Sequence, residues 1–129
     1  MGEVFRGGGK TDICIETGSR AAFVGECKLW TGPRSLSGAL DQLLGYLTWR
    51  DSKASLLVFN TRNKNFSKIL PVVPAAIRGH SLFLRDLPCE ETGEWRVLMR
   101  SEEDEGRRVT VHVFLFDLYQ APDAGISRE

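Results

Sequence analysis

Five leucines recur at helical spacing between two apolar, strand-like runs, and this pattern restricts the fold more than any other feature of the chain. Leu36, Leu40, Leu43, Leu44 and Leu47 fall on one face of a helix predicted over residues 35–50. Ser35 or Ser37 can cap its start after the loop Thr31-Gly32-Pro33-Arg34, and Asp51-Ser52 closes it. The run before it, Ala21 to Trp30, is apolar and strand-like, as is Ala54-Ser55-Leu56-Leu57-Val58-Phe59-Asn60 after it. A strand, a helix and a strand in that order make a right-handed crossover that leaves the two strands parallel. The expected class is therefore α/β, with this helix packed on a sheet.

The first of those strands also belongs to a hairpin. Thr11 to Thr17 alternates in polarity, and Gly18-Ser19 is a turn signal. A turn centred on Ser19 sets Asp12 opposite Glu26, Cys14 opposite Val24 and Glu16 opposite Ala22. Directly opposed residues share a face of the sheet, with Cβ atoms about 5 Å apart. Lys28 emerges on that same face, about 7 Å beyond Glu26. Two carboxylates and a lysine thus converge on one surface. They outline a catalytic metal site, although a solvated cross-strand charge cluster has the same pattern.

Further along, Thr61 to Asn65 is a polar, basic loop. Phe66, Ile69, Leu70, Val73 and Ile77 follow helical spacing, with Pro71 and Pro74 placed to interrupt or kink that helix. Ser81 to Leu87 reads as a short strand. Glu94 to Arg100 and Arg107 to Leu118 read as a strand pair joined by the acidic turn Glu102 to Glu105. The end of the second strand is apolar on both faces and is expected to be covered on both sides. Residues 1–10 read as a flexible leading segment or linker, residues 11–120 as the domain, and residues 121–129 as a frayed tail. The run Gly7-Gly8-Gly9-Lys10-Thr11 is not a phosphate-binding loop, because a strand rather than a helix follows it.

At 129 residues the chain has room for a single domain with a substantial core. Its apolar runs are far too short to span a bilayer, and no signal peptide is apparent. The net charge of zero conceals an asymmetry: residues 1–80 carry 11 Lys and Arg against 6 Asp and Glu, and residues 81–129 carry 6 against 11. Nucleic-acid binding would thus rest on a local basic face in the first part of the chain. Cys14, Cys27 and Cys89 lack CxxC spacing, so free thiols in a reducing cytoplasm are expected and a zinc site is not. His80 at a helix end and His112 on a strand have no nucleophile partner in sequence and read as structural.

The motif Asp-x13-Glu-x-Lys on a hairpin, followed by a helix with Gln-x-x-x-Tyr, resembles the PD-(D/E)XK nuclease superfamily through Asp12, Glu26, Lys28, Gln42 and Tyr46. The stretches Gly-Lys-Thr-Asp-Ile, Gly-Glu-Cys-Lys-Leu-Trp, Asp-Gln-Leu-Leu-Gly-Tyr-Leu-Thr-Trp-Arg-Asp and Leu-Leu-Val-Phe-Asn are similar to those of largely uncharacterised bacterial proteins. In those proteins the nuclease-like domain forms the C-terminal part of a longer chain. The resemblance covers residues 9–118 and implies a restriction-endonuclease-like fold, a central mixed β-sheet flanked by helices. The superfamily's usual N-terminal helix is apparently missing here, since residues 1–10 do not read as one and Glu3 is no substitute for its acidic residue. An additional N-terminal domain in a longer chain is therefore expected.

The resemblance implies Mg²⁺ held by Asp12, Glu26 and the backbone carbonyl of Cys27, with Mn²⁺ as a substitute. It gives Lys28 the role of orienting the attacking water, and Gln42 and Tyr46 a substrate-side role that ordinary helix-surface residues would lack. The Cys27 side chain points to the opposite face and reads as core, whereas Cys14 faces the site. Arg34, Arg50, Lys53, Arg62, Lys64 and Lys68 are candidates for phosphate contacts. Trp30 and Trp49 could pack or stack on bases. The expected function is metal-dependent phosphodiester hydrolysis by a cytoplasmic endodeoxyribonuclease with no membrane partner, DNA ranking ahead of RNA. Homodimerisation is left open. The alternative is a DNA-binding or protein-interaction module that uses a nuclease fold without catalysis.

Overall fold

A parallel core of three strands organises the molecule, and antiparallel strands extend it on both sides. The computed structural model describes residues 2–6, 10–17, 20–47 and 52–121, with side chains described from Val24 onward. In chain order the elements are β1 (Gly2–Arg6), β2 (Lys10–Thr17), β3 (Arg20–Leu29), α1 (Pro33–Tyr46), β4 (Lys53–Asn60), α2 (Phe66–Ile69), α3 (Val72–Arg78), β5 (Phe83–Leu87), β6 (Glu94–Arg100) and β7 (Arg108–Asp117). They form one mixed sheet in the order β1-β2-β3-β4-β7-β6-β5. Strands β3, β4 and β7 are parallel, and every other pairing is antiparallel. The expected α/β class and the β3-α1-β4 crossover are both present.

Helix α1 begins where the sequence can turn sharply. Gly32 precedes it at φ 125°, a backbone conformation that side chains disfavour, and Pro33 occupies the first turn, where its missing N–H costs nothing. The apolar stripe behaves as its spacing requires, for Leu36, Ala39, Leu40 and Leu43 are all buried. Each of these leucines contributes roughly 1.5–3 kcal/mol by leaving water. They join Val24, Leu56, Val58, Val97, Met99, Val109, Val111 and Val113 of the sheet, and Ile69, Val73 and Ile77 of α2 and α3, in one core. The helix stops at Tyr46, short of the expected Arg50, because Leu47 is already extended at φ −76°, ψ 140°. Gly45 and Thr48, both weak helix formers, flank this break.

Other boundaries also depart from the sequence reading. The helix expected over Phe66 to Ile77 is two helices, with Pro71 as the residue that caps the second. Proline there has no N–H to give a continuous helix, whereas Pro74 falls in the first turn of α3, where such groups go unused. Gly2–Arg6, read as a leading segment, is an edge strand against β2. The end of β7 is not covered on both sides by the described residues, since Phe116 is 39% exposed and Leu118 55%. The described helices share a core with one sheet face, and on the other Phe59, Phe114 and Phe116 stack on one another with ring centroids 5.3 and 6.0 Å apart. No helix among the described residues is long and apolar enough to cross a membrane.

Candidate functional site

The hairpin register brings the sequence motif together. Asp12 is the direct partner of Glu26, and Cys14 of Val24. The expected pairing of Glu16 with Ala22 is replaced by Glu16 with Ala21, because a bulge between Ile15 and Glu16 shifts the register near the turn. That shift lies on the far side of Cys14 and leaves the Asp12 pairing untouched. The side chains of Asp12 and Cys14 lie outside the described residues.

Across the parallel pairing, Glu26 is level with Leu56 and Lys28 with Val58. Level partners share a face, and both Leu56 and Val58 belong to the core beneath the helices. Glu26 and Lys28 therefore lie on the helix side of the sheet. Glu26 is wholly buried, at 0% exposure, and Lys28 is half-buried. A carboxylate at that depth is stable only where its charge is offset by a cation, by donors or by a proton. Cys27, half-buried, takes the opposite face by alternation, level with Leu57.

Helix α1 packs on this same face of the sheet. Gln42 and Tyr46 stand one turn apart on it, both half-buried, with Ser35 two turns before Gln42 on the same stripe. Gln42 Oε1 and Ser35 Oγ are buried with no hydrogen-bond partner among the described residues. Leaving such an acceptor dry costs about 1–3 kcal/mol, which sets this polar stripe apart from the buried Leu36, Ala39, Leu40 and Leu43.

The carboxyl ends of β3, β4 and β7 open into a shallow cleft. Trp30, Thr31, Gly32, Asn60, Arg62, Asn63, Lys64 and Tyr119 line it. Open α/β sheets bind ligands outside the carboxyl ends of parallel strands. Glu26 lies three residues, about 10 Å, before the end of β3 at Leu29, and the cleft begins at the next residue, Trp30. Asn60, at 0% exposure, orders the loop that carries the two cations. Its amide nitrogen donates to the Asn63 carbonyl at 2.7 Å and to Asp117 Oδ1 at 3.0 Å, while Asn63 N–H donates to Asn60 Oδ1 at 3.1 Å. Trp30 is held at the mouth by its N–H donating to the Phe59 carbonyl at 2.8 Å. Trp30 also packs partly against the core, which is the packing role open to it in sequence, and it lines the cleft as well.

The basic candidates divide. Arg34, exposed in the first turn of α1, and exposed Arg62 and Lys64 lie at this carboxyl-end side. Lys53 does not join them, because it begins β4 at the opposite end of the sheet, five residues or about 16 Å from the level of Lys28. A parallel strand places its two ends on opposite edges, a fact that a basic residue count hides. Lys68 is exposed on α2. Arg50 and Trp49 lie outside the described residues.

Two clusters escaped the sequence reading. His80, with a side chain 2% exposed, accepts from Leu82 N–H through Nδ1 at 3.0 Å and meets Asp41 Oδ1 through Nε2 at 2.7 Å. This joins α1 to the turn after α3. Separately, Cys89, Glu94 and His112 bring a thiol, a carboxylate and an imidazole within 4.8 Å of one another. No spacing rule flags Cys-x4-Glu-x17-His; the pairing of β6 with β7 brings Glu94 to His112, and the segment between β5 and β6 brings Cys89. Comparison with known proteins gives no match, whether to family models, to curated proteins or to solved structures.

Proposed function

We propose that the chain is a nuclease domain of the PD-(D/E)XK type that hydrolyses phosphodiesters of DNA, with Mg²⁺ as its ion and Mn²⁺ as a substitute. The observation that carries this reading is the register of the hairpin, Asp12 against Glu26, with Lys28 one side-chain repeat further along the same face. Two carboxylates offer the hard oxygen donors that Mg²⁺ takes, and the depth of Glu26 suits a group whose charge is offset. Asp12, Glu26 and the backbone carbonyl of Cys27 would hold the ion. When bound it would supply polarisation of the phosphate and a water of lowered pKa.

The chain's own residues do the rest. Lys28 orients the attacking water and offsets charge that develops on the phosphate oxygens. Gln42, whose buried oxygen has no donor among the described residues, accepts from Lys28 or from the nucleotide, and Tyr46 one turn on positions the same group. Arg34, Arg62 and Lys64 attract the phosphate backbone, and Trp30 and Tyr119 offer rings on which bases stack. That cationic and aromatic cleft needs no metal, and it favours binding without hydrolysis as the second reading.

Incubation with supercoiled and linear DNA, and with RNA, in Mg²⁺, Mn²⁺ or EDTA separates the two. The nuclease reading expects cleavage abolished by EDTA and reduced at least about 100-fold in Glu26→Gln and Lys28→Ala, the size of effect that loss of one charge-stabilising group produces. Cleavage undiminished in both variants would refute these assignments. Binding without cleavage in any metal would favour the second reading, and preferential cleavage of RNA would move the substrate class.

A further inference from the structure

The face of the sheet turned away from the helices holds a second constellation, and we infer that Cys89, Glu94 and His112 form a Zn²⁺ site there. His112 Nε2 lies 3.0 Å from Glu94 Oε1, and all three ligand atoms fall within 4.8 Å of one another. Tetrahedral zinc, with bonds of about 2.0–2.3 Å, sets its ligand atoms roughly 3.4 Å apart. The His112–Glu94 edge is already near that length, so closure asks only that the Cys89 sulfur draw in by about an ångström or a little more.

The scaffold holds the three groups in place. Glu94 and Phe114 are paired residues of β6 and β7, so His112 lies diagonally across from Glu94 on one face. The His112 ring stacks on Phe114 with centroids 4.0 Å apart, which fixes its plane. Cys89 arrives on the β5–β6 loop, which is tied at two points. Arg96 Nη1 donates to the Pro88 carbonyl at 3.1 Å, and Leu115 N–H donates to the Gly93 carbonyl at 2.8 Å. Gly93 makes the second tie through φ +83°, where a Cβ would meet the Leu115 carbonyl oxygen at 3.2 Å.

The donor set selects the ion. Thiolate, imidazole and one carboxylate suit Zn²⁺, whereas Mg²⁺ takes oxygen donors and has no use for the sulfur. With Zn²⁺, one thiolate and one carboxylate, the charges cancel, which suits a half-buried position. Three protein ligands leave a fourth position for water or an outside donor. This ion would clamp the β5–β6 loop to β7. It is chemically distinct from the site proposed at Glu26, whose side chain lies on the other face of the sheet.

Titration of the intact chain with Co²⁺, followed by absorbance, tests the site. The expected result is a near-ultraviolet thiolate-to-cobalt charge-transfer band that saturates at one ion per chain, is bleached by Zn²⁺ and is indifferent to Mg²⁺. Cys89→Ser should abolish the band. His112→Ala and Glu94→Gln should weaken Co²⁺ binding at least about tenfold, the loss produced even by disturbing a group behind a ligand. Asp12→Asn should leave the band intact. Absence of the band, its persistence in Cys89→Ser, or its indifference to both other substitutions would overturn the site. A measurement on the unmodified chain needs no variant to fold: Zn²⁺ should slow alkylation of Cys89, mapped by mass spectrometry, and an unchanged rate would count equally against it.

Discussion

Replacing Asn60 by aspartate exchanges one buried amide nitrogen for an oxygen and leaves shape and volume almost untouched. In the native chain that nitrogen donates to the Asn63 carbonyl at 2.7 Å and to Asp117 Oδ1 at 3.0 Å. In Asn60→Asp both contacts become acceptor against acceptor, while the bond from Asn63 N–H to the retained oxygen survives. Two lost hydrogen bonds account for about 2 kcal/mol. A carboxylate at a position of 0% exposure beside Asp117 adds desolvation and repulsion, discounted because Asp117 itself is exposed and screened. The sum is about 3–4 kcal/mol of destabilisation at pH 7.

The sign with pH follows from the same contacts. Burial and the neighbouring carboxylate raise the folded pKa of the introduced carboxyl above its unfolded value of about 3.9. A group raised on folding destabilises fully above its folded pKa, and the penalty fades as pH falls toward the unfolded value, where both states are protonated. Urea unfolding of Asn60→Asp and the native chain at pH 7 and pH 4.5 should thus give a smaller difference at the lower pH. Asn60→Ala, which introduces no charge, should give a difference that pH leaves alone. A loss under about 1 kcal/mol at pH 7 would refute the argument that this amide orders the Arg62 and Lys64 loop, because even its hydrogen bonds alone are worth more.

His80→Ala should cost about 2–4 kcal/mol, since it opens a void and strands Leu82 N–H, whereas Asp41→Ala should cost under about 1 kcal/mol because Asp41 is 69% exposed. Thermal or urea unfolding of both variants measures that contrast. Gly93→Ala should lose about 1–3 kcal/mol by forcing a Cβ into a positive-φ turn against the Leu115 carbonyl, read as a shift in the urea midpoint. In fluorescence anisotropy with labelled DNA, Arg62→Ala and Lys64→Ala should each lower the salt dependence of binding by about one phosphate contact. Lys53→Ala, at the far edge of the sheet, should leave it unchanged.

The parts legible in sequence were those set by local periodicity. The leucine stripe of α1, the alternation of β7 and the turn signal at Gly18-Ser19 each act over a few residues, and the last of them is enough to set Asp12 opposite Glu26. Pro71 marked a break that its missing N–H guarantees, although not that two helices would result. The edge strand Gly2–Arg6 was hidden, because Val4 and Phe5 between glycine, glutamate and arginine are too short a run to signal a strand, and pairing with the β2 edge recruits it.

What tertiary structure decided were the juxtapositions. The insertion of β7 between β4 and β6 aligned three carboxyl ends, so Asn60, Arg62, Lys64 and Tyr119 share a cleft with Trp30 while Lys53 is carried to the opposite edge. The same insertion set His112 diagonally across from Glu94 and brought Cys89 to them from a loop. A sequence determines which face a residue takes within its own strand, because the side-chain repeat is a property of the backbone. Which strand lies beside it, and which strand ends are level, depends on how all the apolar faces are buried at once, and that sum is settled only in the folded chain.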